Sequence, residues 1–409
     1  MERYSEYKDS GVQWLGEIPS HWDMLALKHI LKLRKKLVGK QSYKYDLLSL
    51  TLQGIIKRDI DNPTGKFPSS FDTYQEVNAG DFVFCNFDNE ETPRAVGLSE
   101  YKGMITGAYD VLSCKNSNLT NRYLIYYFLY VDDAKRFKPL YKGLRKTVPF
   151  DSFMSYKIPV PSIEEQQAIA FYLDTATAEI DEAIAQQKKM IDLLNERKQI
   201  IINNAVTKGL NSDAPMKDSG VDWIGKIPEY WMTRRMRYLC KIKTGDKDTI
   251  NRVDEGKYPF YVRSPKVERI NSYTFDGEAV LMAGDGVGAG KVFHYVNGKF
   301  GCHQRVYIFH DIKNINGEYL YFYMKSLFKH TIEQLSAKST VDSVRLNMIQ
   351  DFIVAIPTNE EQTSILSYLH KQIEKFDVAI ANATKQISLL QERKQIIIND
   401  VVTGKVKVC

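Results

Sequence analysis

An internal duplication constrains the fold of this 409-residue chain more than any other feature. Residues 8–22 (KDSGVQWLGEIPSHW) return as residues 217–231 (KDSGVDWIGKIPEYW), with most positions unchanged, and we call this pair the border motif. A second pair of segments opens with PSIEEQ at Pro161 and PTNEEQ at Pro357, and both copies converge on ERKQIIIN followed by Val-Thr. A repeat of this kind fixes the architecture before any single residue is interpreted. The chain is therefore two copies of one structural unit.

The sequence between the repeated borders differs, but a common skeleton remains. A turn glycine and an apolar strand occur at Gly80 and again at Gly277, and an aromatic-rich segment begins at Tyr123 and again at Tyr319. Turn residues followed by short apolar runs are typical of strands. These patterns predict two copies of one α/β domain whose exposed residues differ.

A long helix follows each domain. From Ser162 to about residue 204 there is neither glycine nor proline, and apolar residues recur every three or four positions, as they do along a coiled-coil seam. Capping boxes, Ser162-x-x-Glu165 and Thr358-x-x-Glu361, mark both starts. At 1.5 Å per residue each helix would extend roughly 60 Å. The predicted seam positions are Ile169, Leu173, Ala176, Ile180, Ile184, Ile191, Leu194 and Ile201 in the first helix, and Ile365, Leu369, Ile373, Phe376, Ile380, Ile387, Leu390 and Ile397 in the second.

A helix of this length cannot bury its apolar seam alone. Because the same sequence occurs twice, we expect an α/β protein in which two long antiparallel helices form an intramolecular coiled coil with a pseudo-twofold internal repeat. Coiled-coil dimerisation between two chains is the alternative. The expected boundaries are 1–157 for the first α/β domain, 158–210 for the first helix, 211–353 for the second domain and 354–409 for the second helix.

The charge distribution fits contact with an anionic partner. The net charge is +6, and each domain segment (1–157 and 211–353) carries an excess of four basic residues, whereas the helical segments together carry −2. Such an excess suits phosphate-facing surfaces and equally suits an ordinary solvated surface. Five separated cysteines without a C-x-x-C pair indicate no disulfide framework or zinc site. The sequence has neither a long apolar run nor a signal peptide, so we expect a cytoplasmic protein with no membrane contact.

Motifs that resemble catalytic or cofactor sites fail at defining positions. Residues 283–292 (AGDGVGAGKV) lack two residues of a phosphate-binding P-loop and continue as a predicted strand, so a hairpin or a DNA-approaching loop is expected. Residues 61–64 (DNPT) lack the rest of an amino-methyltransferase signature and indicate a turn. Only Cys302 and His303 bring two potential metal ligands together, too few for a site. We predict a chain without catalytic or metal-binding residues; the alternative is a single-chain enzyme with degenerate motifs.

The duplicated motifs resemble those of the specificity subunits of type I restriction-modification systems. The resemblance rests on SGVxW(L/I)GxIPxxW before each domain, PxxEEQ at the start of each helix and ERKQxII with Val-Thr at its end, and it covers essentially the whole chain. One departure is Lys208-Gly209, which reverses the order of Gly404-Lys405.

The resemblance implies a non-catalytic DNA-binding subunit. The two domains would be target-recognition domains that each read one half of a bipartite site in double-stranded DNA, and the helices would set the spacer and dock the methylation subunits. The partners would be two methylation subunits and two restriction subunits. This chain would bind no cofactor, because S-adenosylmethionine, ATP and Mg would be bound by the partners. One alternative is a single-chain restriction enzyme with degenerate motifs. Another is a purely structural coiled-coil scaffold, which leaves the two domains without a role.

Base reading requires polar or basic side chains presented on loops. For any single residue, a solvated surface position is the alternative. We also expect the tryptophans of the border motif to be core or subunit-interface anchors. The candidate DNA-contacting residues are Asn86, Asn89, Arg94, Lys142, Arg145, Lys146 and Thr147 in the first domain, and Arg263, Ser264, Lys291, His303, Gln304, Arg305, Lys338 and Arg345 in the second.

Overall fold

The computed structural model describes residues 2–60, 68, 70–336 and 343–408. The predicted turn at 61–64 and the candidate Lys338 lie outside the described residues. The chain divides into two compact units: unit 1 comprises Met1–Gln187 and Lys385–Cys409, and unit 2 comprises Lys188–Thr384. Each unit therefore contains one α/β domain together with part of both long helices. The domain boundaries predicted above stay predictions.

The elements of unit 1 follow the order of the chain. The strands are β1 (Tyr7–Asp9), β2 (Glu17–Pro19), β3 (Asp23–Ala26), β4 (Leu31–Leu33), β5 (Leu47–Thr51), β6 (Gly54–Arg58), β7 (Gln75–Val77), β8 (Phe82–Phe84), β9 (Val96–Leu98), β10 (Gly103–Ile105), β11 (Asp110–Cys114) and β12 (Lys157–Val160). The helices are α1 (Leu27–Ile30), α2 (Asn121–Asp133), α3 (Phe150–Ser155) and the long α4 (Ile163–Lys208), whose last part belongs to unit 2.

The elements of unit 2 repeat this order with fewer strands in its described part. The strands are β13 (Met216–Asp218), β14 (Lys226–Pro228), β15 (Met232–Arg235), β16 (Lys241–Thr244), β17 (Tyr258–Tyr261), β18 (Glu268–Ile270), β19 (Phe275–Ala283), β20 (Phe293–Cys302), β21 (Val306–His310) and β22 (Ile353–Ile356). The helices are α5 (Gly317–Ser336), α6 (Leu346–Asp351) and the long α7 (Asn359–Val402), whose last part belongs to unit 1.

The sheets show a common scaffold with different extensions. In unit 1 the sheet orders are β4-β11-β8-β9 and β6-β5-β10-β7, whereas unit 2 has one six-stranded sheet, β16-β21-β19-β20-β17-β18. A short pair closes each domain, β3 with β12 and β15 with β22. The predicted skeleton is confirmed, because Tyr123 in α2 donates to the carbonyl of Pro159 (2.9 Å) and Tyr319 in α5 donates to that of Ala355 (3.2 Å).

The border motif folds as a hairpin followed by a buried tryptophan. β1 pairs with β2 and β13 with β14 in the same register, with Lys8 opposite Ile18 and Lys217 opposite Ile227. Gly16, in the turn of the first copy, has φ +71°, a conformation that glycine adopts without strain. The paired strands and the turn glycine thus give these repeated positions the same structural role in both copies.

Trp22 and Trp231 link the border motif to the helix start. Both are completely buried, which confirms them as core anchors. The indole N–H of Trp22 donates to Glu165 (3.3 Å), and that of Trp231 donates to Glu361 (2.9 Å). The Ser162 box is reciprocal, because the Glu165 carboxylate also accepts from the backbone N–H of Ser162 (3.3 Å) and Glu165 N–H donates to the Ser162 hydroxyl (3.2 Å). The repeated tryptophan and glutamate thus fix where each long helix begins.

Within each unit, parts of α4 and α7 pack antiparallel. In unit 1, Asp181 of α4 accepts from Lys394 of α7 (2.6 Å), and in unit 2, Asp377 of α7 accepts from Lys198 of α4 (2.6 Å). Asp377 lies 196 residues after Asp181, and Lys394 lies 196 residues after Lys198. The same ion pair is therefore formed in both units, with α4 supplying the aspartate in unit 1 and α7 supplying it in unit 2. All predicted seam residues are buried or half-buried. The intramolecular pairing is confirmed.

The reversed Lys-Gly order has a structural reason. α4 ends at Lys208 and α7 at Val402, and a glycine in the left-handed region follows each helix, Gly209 (φ +75°) and Gly404 (φ +72°). Glycine is favoured at this C-terminal position because it has no side chain to clash. The exchange therefore moves the glycine cap by one residue and preserves the way in which both helices end.

Replacing Trp22 by alanine should lower the free energy of unfolding by about 3–5 kcal/mol, because a large buried side chain leaves a cavity. Trp22→Phe, which keeps an aromatic ring but loses the hydrogen bond to Glu165 and part of the ring volume, should lower the free energy of unfolding clearly less. Urea denaturation of the purified chain, followed by circular dichroism, measures both. Equal losses in the two variants would contradict a role based mainly on packing.

Candidate nucleic-acid interface

In unit 1, two of the predicted loops lie against each other. Residues 86–94 follow β8, and residues 142–147 form a tight hairpin, closed by a bridge between Lys142 and Thr147, just before α3. The backbone N–H of Val148 donates to the carbonyl of Asn86 (2.8 Å), and that of Asp88 donates to the carbonyl of Arg145 (2.8 Å). The loops are therefore joined through backbone as well as side-chain contacts.

Arg145 is exposed on this pair of loops and is held by an ion pair. Its guanidinium is 66% exposed and contacts both carboxylate oxygens of Asp88, at 3.2 Å through Nε and 2.5 Å through Nη2. The same group lies 5.0 Å from the ring centroid of Phe87. The hydrogen bond from Arg145 lowers the pKa of Asp88 below its usual value, so this carboxylate is ionised at neutral pH. Lys146 pairs in the same way with Glu90.

Three candidates of the first domain are instead held within the loop. Asn86 and Asn89 are buried, the former donating to Asp110 (2.7 Å) and the latter accepting from the hydroxyl of Tyr141 (2.8 Å). Arg94 is largely covered and pairs with Asp133 (2.9 Å). Their assignment as DNA contacts stays a prediction; in this structure their side chains stabilise the loop.

In unit 2, four separate segments meet around Asp285. Its carboxylate accepts from Arg263 (3.0 Å) and from Arg305 (2.9 Å). Its backbone forms a bridge with Ser343, and the neighbouring Gly284 carbonyl accepts from the N–H of Val344 (2.8 Å). That last bond corresponds to the bond between Val148 and Asn86 in unit 1. Both units thus bring the loop after the central strand against the segment that precedes a short helix.

The glycine-rich segment 283–292 connects β19 to the antiparallel β20. No helix follows it, so the strand-to-helix turn of a nucleotide-binding loop is not formed here, and the predicted hairpin is confirmed. Gly288 packs so tightly that an added Cβ would lie 2.4 Å from the carbonyl oxygen of Arg263. Lys291 is exposed at the end of the loop, and Val287 is 92% exposed.

The remaining candidates of unit 2 surround this centre. His303 is buried, its pKa is lowered by burial, and its Nδ1 accepts from the backbone N–H of Arg305 (3.0 Å). Gln304 donates to Asp248 (3.0 Å), and the Ser264 hydroxyl accepts from a backbone N–H within its own turn (3.1 Å). Arg345 is exposed immediately before α6. All of them stay predicted contacts.

The acidic partners of these arginines were missed from the sequence. Asp88 lies inside the polar loop proposed from the sequence, and Asp285 occupies the position that excludes a P-loop. Basic side chains are the expected DNA contacts, so the sequence argument did not select the acidic residues within the same loops. The available signal was Asp285, an acidic residue between two glycines in a loop of an otherwise basic domain.

The described residues contain neither a metal-binding cluster nor a membrane-spanning helix. No group of three or more histidine, cysteine, aspartate or glutamate side chains there could hold a metal ion. In the same part of the chain, no helix is both long enough and apolar enough to cross a membrane.

Comparisons with known proteins agree on one family. A family model described as "Type I restriction modification DNA specificity domain" matches residues 98–191 and 228–389, more than half of the chain. The Type I restriction enzyme EcoDI specificity subunit of Escherichia coli is 32% identical over 181 residues, covering 44% of this chain and 40% of that protein. The putative type I restriction enzyme MjaX specificity subunit of Methanocaldococcus jannaschii is 26% identical over 435 aligned positions, covering 96% of both proteins.

A solved structure supports the same fold. It is described as "Structural basis underlying complex assembly and conformational transition of the type I R-M system". The superposition covers 95% of this chain and 99% of the solved chain, with a TM-score of 0.68 and 13% sequence identity. At that identity the likeness concerns the fold alone.

Proposed function

Because the chain belongs to the type I restriction-modification DNA specificity family, we propose that each of its units reads one half of a bipartite site in double-stranded DNA. One observation carries the proposal: a single scaffold occurs twice, and different arginine-bearing loops occupy the same place in each copy. Two identical surfaces would read identical half-sites, whereas different surfaces read an asymmetric sequence. The scaffold is repeated because both copies serve the same complex.

The exposed arginines have the chemistry that this reading requires. Arginine presents paired N–H donors to guanine O6 and N7 in the major groove, and lysines at the rim bind phosphates and fix the register. Arg145 and Lys142 are exposed in unit 1, and Arg305 and Lys291 in unit 2. We propose these residues as contacts, and the buried Asn86, Asn89 and His303 as supports of the contacting loops.

The paired helices are proposed to set the spacer and to dock two methylation subunits. Leu193 and Ile200 of α4 are about half exposed, and so are Leu389 and Ile396, which occupy the same positions in the repeated helix sequence. Exposed apolar residues at equivalent places are not explained by the core of either unit. They offer two like surfaces, as two copies of one partner require.

Catalysis is proposed to belong to the partners. Methylation subunits would bind S-adenosylmethionine, and two restriction subunits would use ATP and Mg, while this chain binds none of these. The competing hypothesis is a single-chain restriction enzyme. Incubating the purified chain with DNA, Mg and S-adenosylmethionine distinguishes the two, since modification or cleavage without partners would support the competitor.

The direct test of the proposed function is methylome sequencing of cells that express the chain with its partner subunits. We expect methylation at one bipartite, asymmetric sequence, and its loss when this chain is deleted. Methylation that persists at the same sequence without the chain would refute the proposal.

Arg145→Ala and Arg345→Ala should each weaken binding to the cognate site by about 1–3 kcal/mol if these side chains contact bases. Each should also relax the sequence in one half-site only, because the two residues lie in different units. Binding of the assembled methyltransferase to duplex DNA at fixed salt measures the affinity. Unchanged affinity and unchanged target sequence in both variants would count against this assignment.

A further inference from the structure

An aspartate holds the exposed arginines of each unit in place. In unit 2, Asp285 bonds Arg263, which follows β17, and Arg305, which precedes β21, at 3.0 and 2.9 Å. Asp285 is 19% exposed, whereas Arg263 and Arg305 are 45% and 62% exposed. We propose that Asp285 is a positioning residue that directs these two arginines toward guanine edges in one half-site. The inference rests on the proposed function and adds a specificity determinant to it.

The geometry leaves the arginines able to read DNA while they are held. Each uses only Nη1 for Asp285, and within the described part of the chain the Nε and Nη2 groups of both have no hydrogen-bond partner. Guanine recognition needs two parallel N–H donors at one edge of the guanidinium, and Nε with Nη2 supplies such an edge. The carboxylate therefore fixes the direction of each side chain without occupying the edge that reads the base.

The position of Asp285 is itself fixed by backbone contacts. It forms a bridge with Ser343, and the preceding Gly284 carbonyl accepts from Val344. The loop also contacts the Arg263 backbone at Gly288, where a Cβ would not fit. A flexible arginine loses rotational freedom when it binds a base, so fixing it beforehand increases selectivity for the correct base.

Unit 1 contains a related aspartate–arginine pair with a different geometry. Asp88 accepts from Nε and Nη2 of Arg145 through both carboxylate oxygens, and the backbone N–H of Asp88 donates to the Arg145 carbonyl (2.8 Å). This edge of the guanidinium is therefore occupied, and Nη1 with the second hydrogen of Nη2 is the pair of donors left for a base. Asp88 has φ +47°, a conformation uncommon for a residue other than glycine. An aspartate that holds an exposed arginine in both units, on loops of unrelated sequence, favours a shared requirement over a chance surface ion pair.

A simple electrostatic account predicts the opposite effect of mutation. A carboxylate on a DNA-facing loop repels phosphates, so its neutralisation should strengthen binding to all sequences equally. If the aspartate positions arginines, its neutralisation should instead reduce discrimination between sequences. The two accounts are therefore separated by the target sequence and not by affinity alone.

The test is Asp285→Asn in the full chain, expressed with its partner subunits and followed by methylome sequencing. We expect at least one G·C pair of one half-site to become degenerate, with methylation at the relaxed sites rising at least about tenfold over wild type, while the other half-site stays unchanged. Asp88→Asn should relax the opposite half-site. The matched control is Asp276→Asn, which removes an exposed acid paired with Lys299 (3.9 Å) at the other end of β19 and should leave the sequence unchanged.

A second measurement separates positioning from a merely structural role. In Arg263→Ala/Arg305→Ala, adding Asp285→Asn should cause no further relaxation, because its effect acts through those arginines. Uniformly tighter or weaker binding with an unchanged sequence, or a lower melting temperature alone, would overturn the inference. The wild-type methylome in the same experiment tests the proposed function independently. A bipartite site in the wild type supports the proposed function whether or not Asp285→Asn changes the sequence.

Discussion

Replacing residues 24–157 by the corresponding segment of a relative with a different target is expected to change one half of the methylated sequence and leave the other half intact. The exchanged segment contains the loops that carry Arg145 and Asp88, whereas Trp22 and α4 remain. Under the proposed function each half-site is read by one unit, so the expected effect is complete: methylation at the original sequence disappears and a hybrid sequence appears. Methylome sequencing of cells with the hybrid chain and its partners gives the result.

The donor segment must preserve the contacts of the domain with its own helix. Tyr126 and Arg122 of α2 both bond Asp174 of α4, at 2.6 and 2.7 Å, and a donor without these partners would weaken the unit. The matched control is the reciprocal exchange of residues 233–353, which should change only the other half. A change in both halves after either exchange would show that the units do not read independently.

Lengthening both helices by four residues is expected to lengthen the spacer between the half-sites by one or two base pairs. We would insert four residues after Gln187 and four after Thr384, at the unit boundaries, so that the contacts within each unit are kept. Four residues add about 6 Å of helix, and one base pair advances about 3.4 Å along the axis of the duplex. Both half-sites should remain unchanged in the methylome.

Two matched variants serve as controls. Two residues inserted at both places would turn the part of each helix after the insertion by about 200° about the helix axis. Four residues would turn it by about 400°, which is within about 40° of its wild-type direction. The two-residue variant should therefore lose methylation. Four residues after Gln187 alone make the helices unequal and should also impair assembly. An active four-residue variant with an unaltered spacer would show that the helices do not measure the distance.

Features encoded locally were predictable from the sequence. The 3.5-residue spacing through Ile169 and Leu173 predicted α4, and the Ser162 box predicted its start, because helix periodicity and capping depend on residues close together in the chain. The helix continues to Lys208, beyond the run to about residue 204 that was used to predict it, because the signals for ending a helix are weaker than those for starting one. The duplication allowed the pairing of the helices to be predicted as well.

Features that depend on distant contacts were not predictable. The polar loop 86–94 suggested exposed asparagines, yet Asn86 and Asn89 are buried because Asp110 and Tyr141, far along the chain, supply their hydrogen-bond partners. The role of Asp285 depends on arginines 22 residues before it and 20 residues after it. Only the folded sheet brings such residues together.

Unit 1 is built from two segments that are far apart in the sequence, and this has a consequence for the synthesis of the protein. Its core includes Ile398, Val401 and Val402 beside Trp22, and the Tyr7 hydroxyl donates to the Gly404 carbonyl (3.0 Å) across 397 residues. Unit 2 is one continuous segment, Lys188–Thr384, and its chain has left the ribosome earlier. The domain made first is thus the last to complete its core. A chain that stops before residue 398 leaves this core open, so unit 1 can close only after its part of α7 has been synthesised.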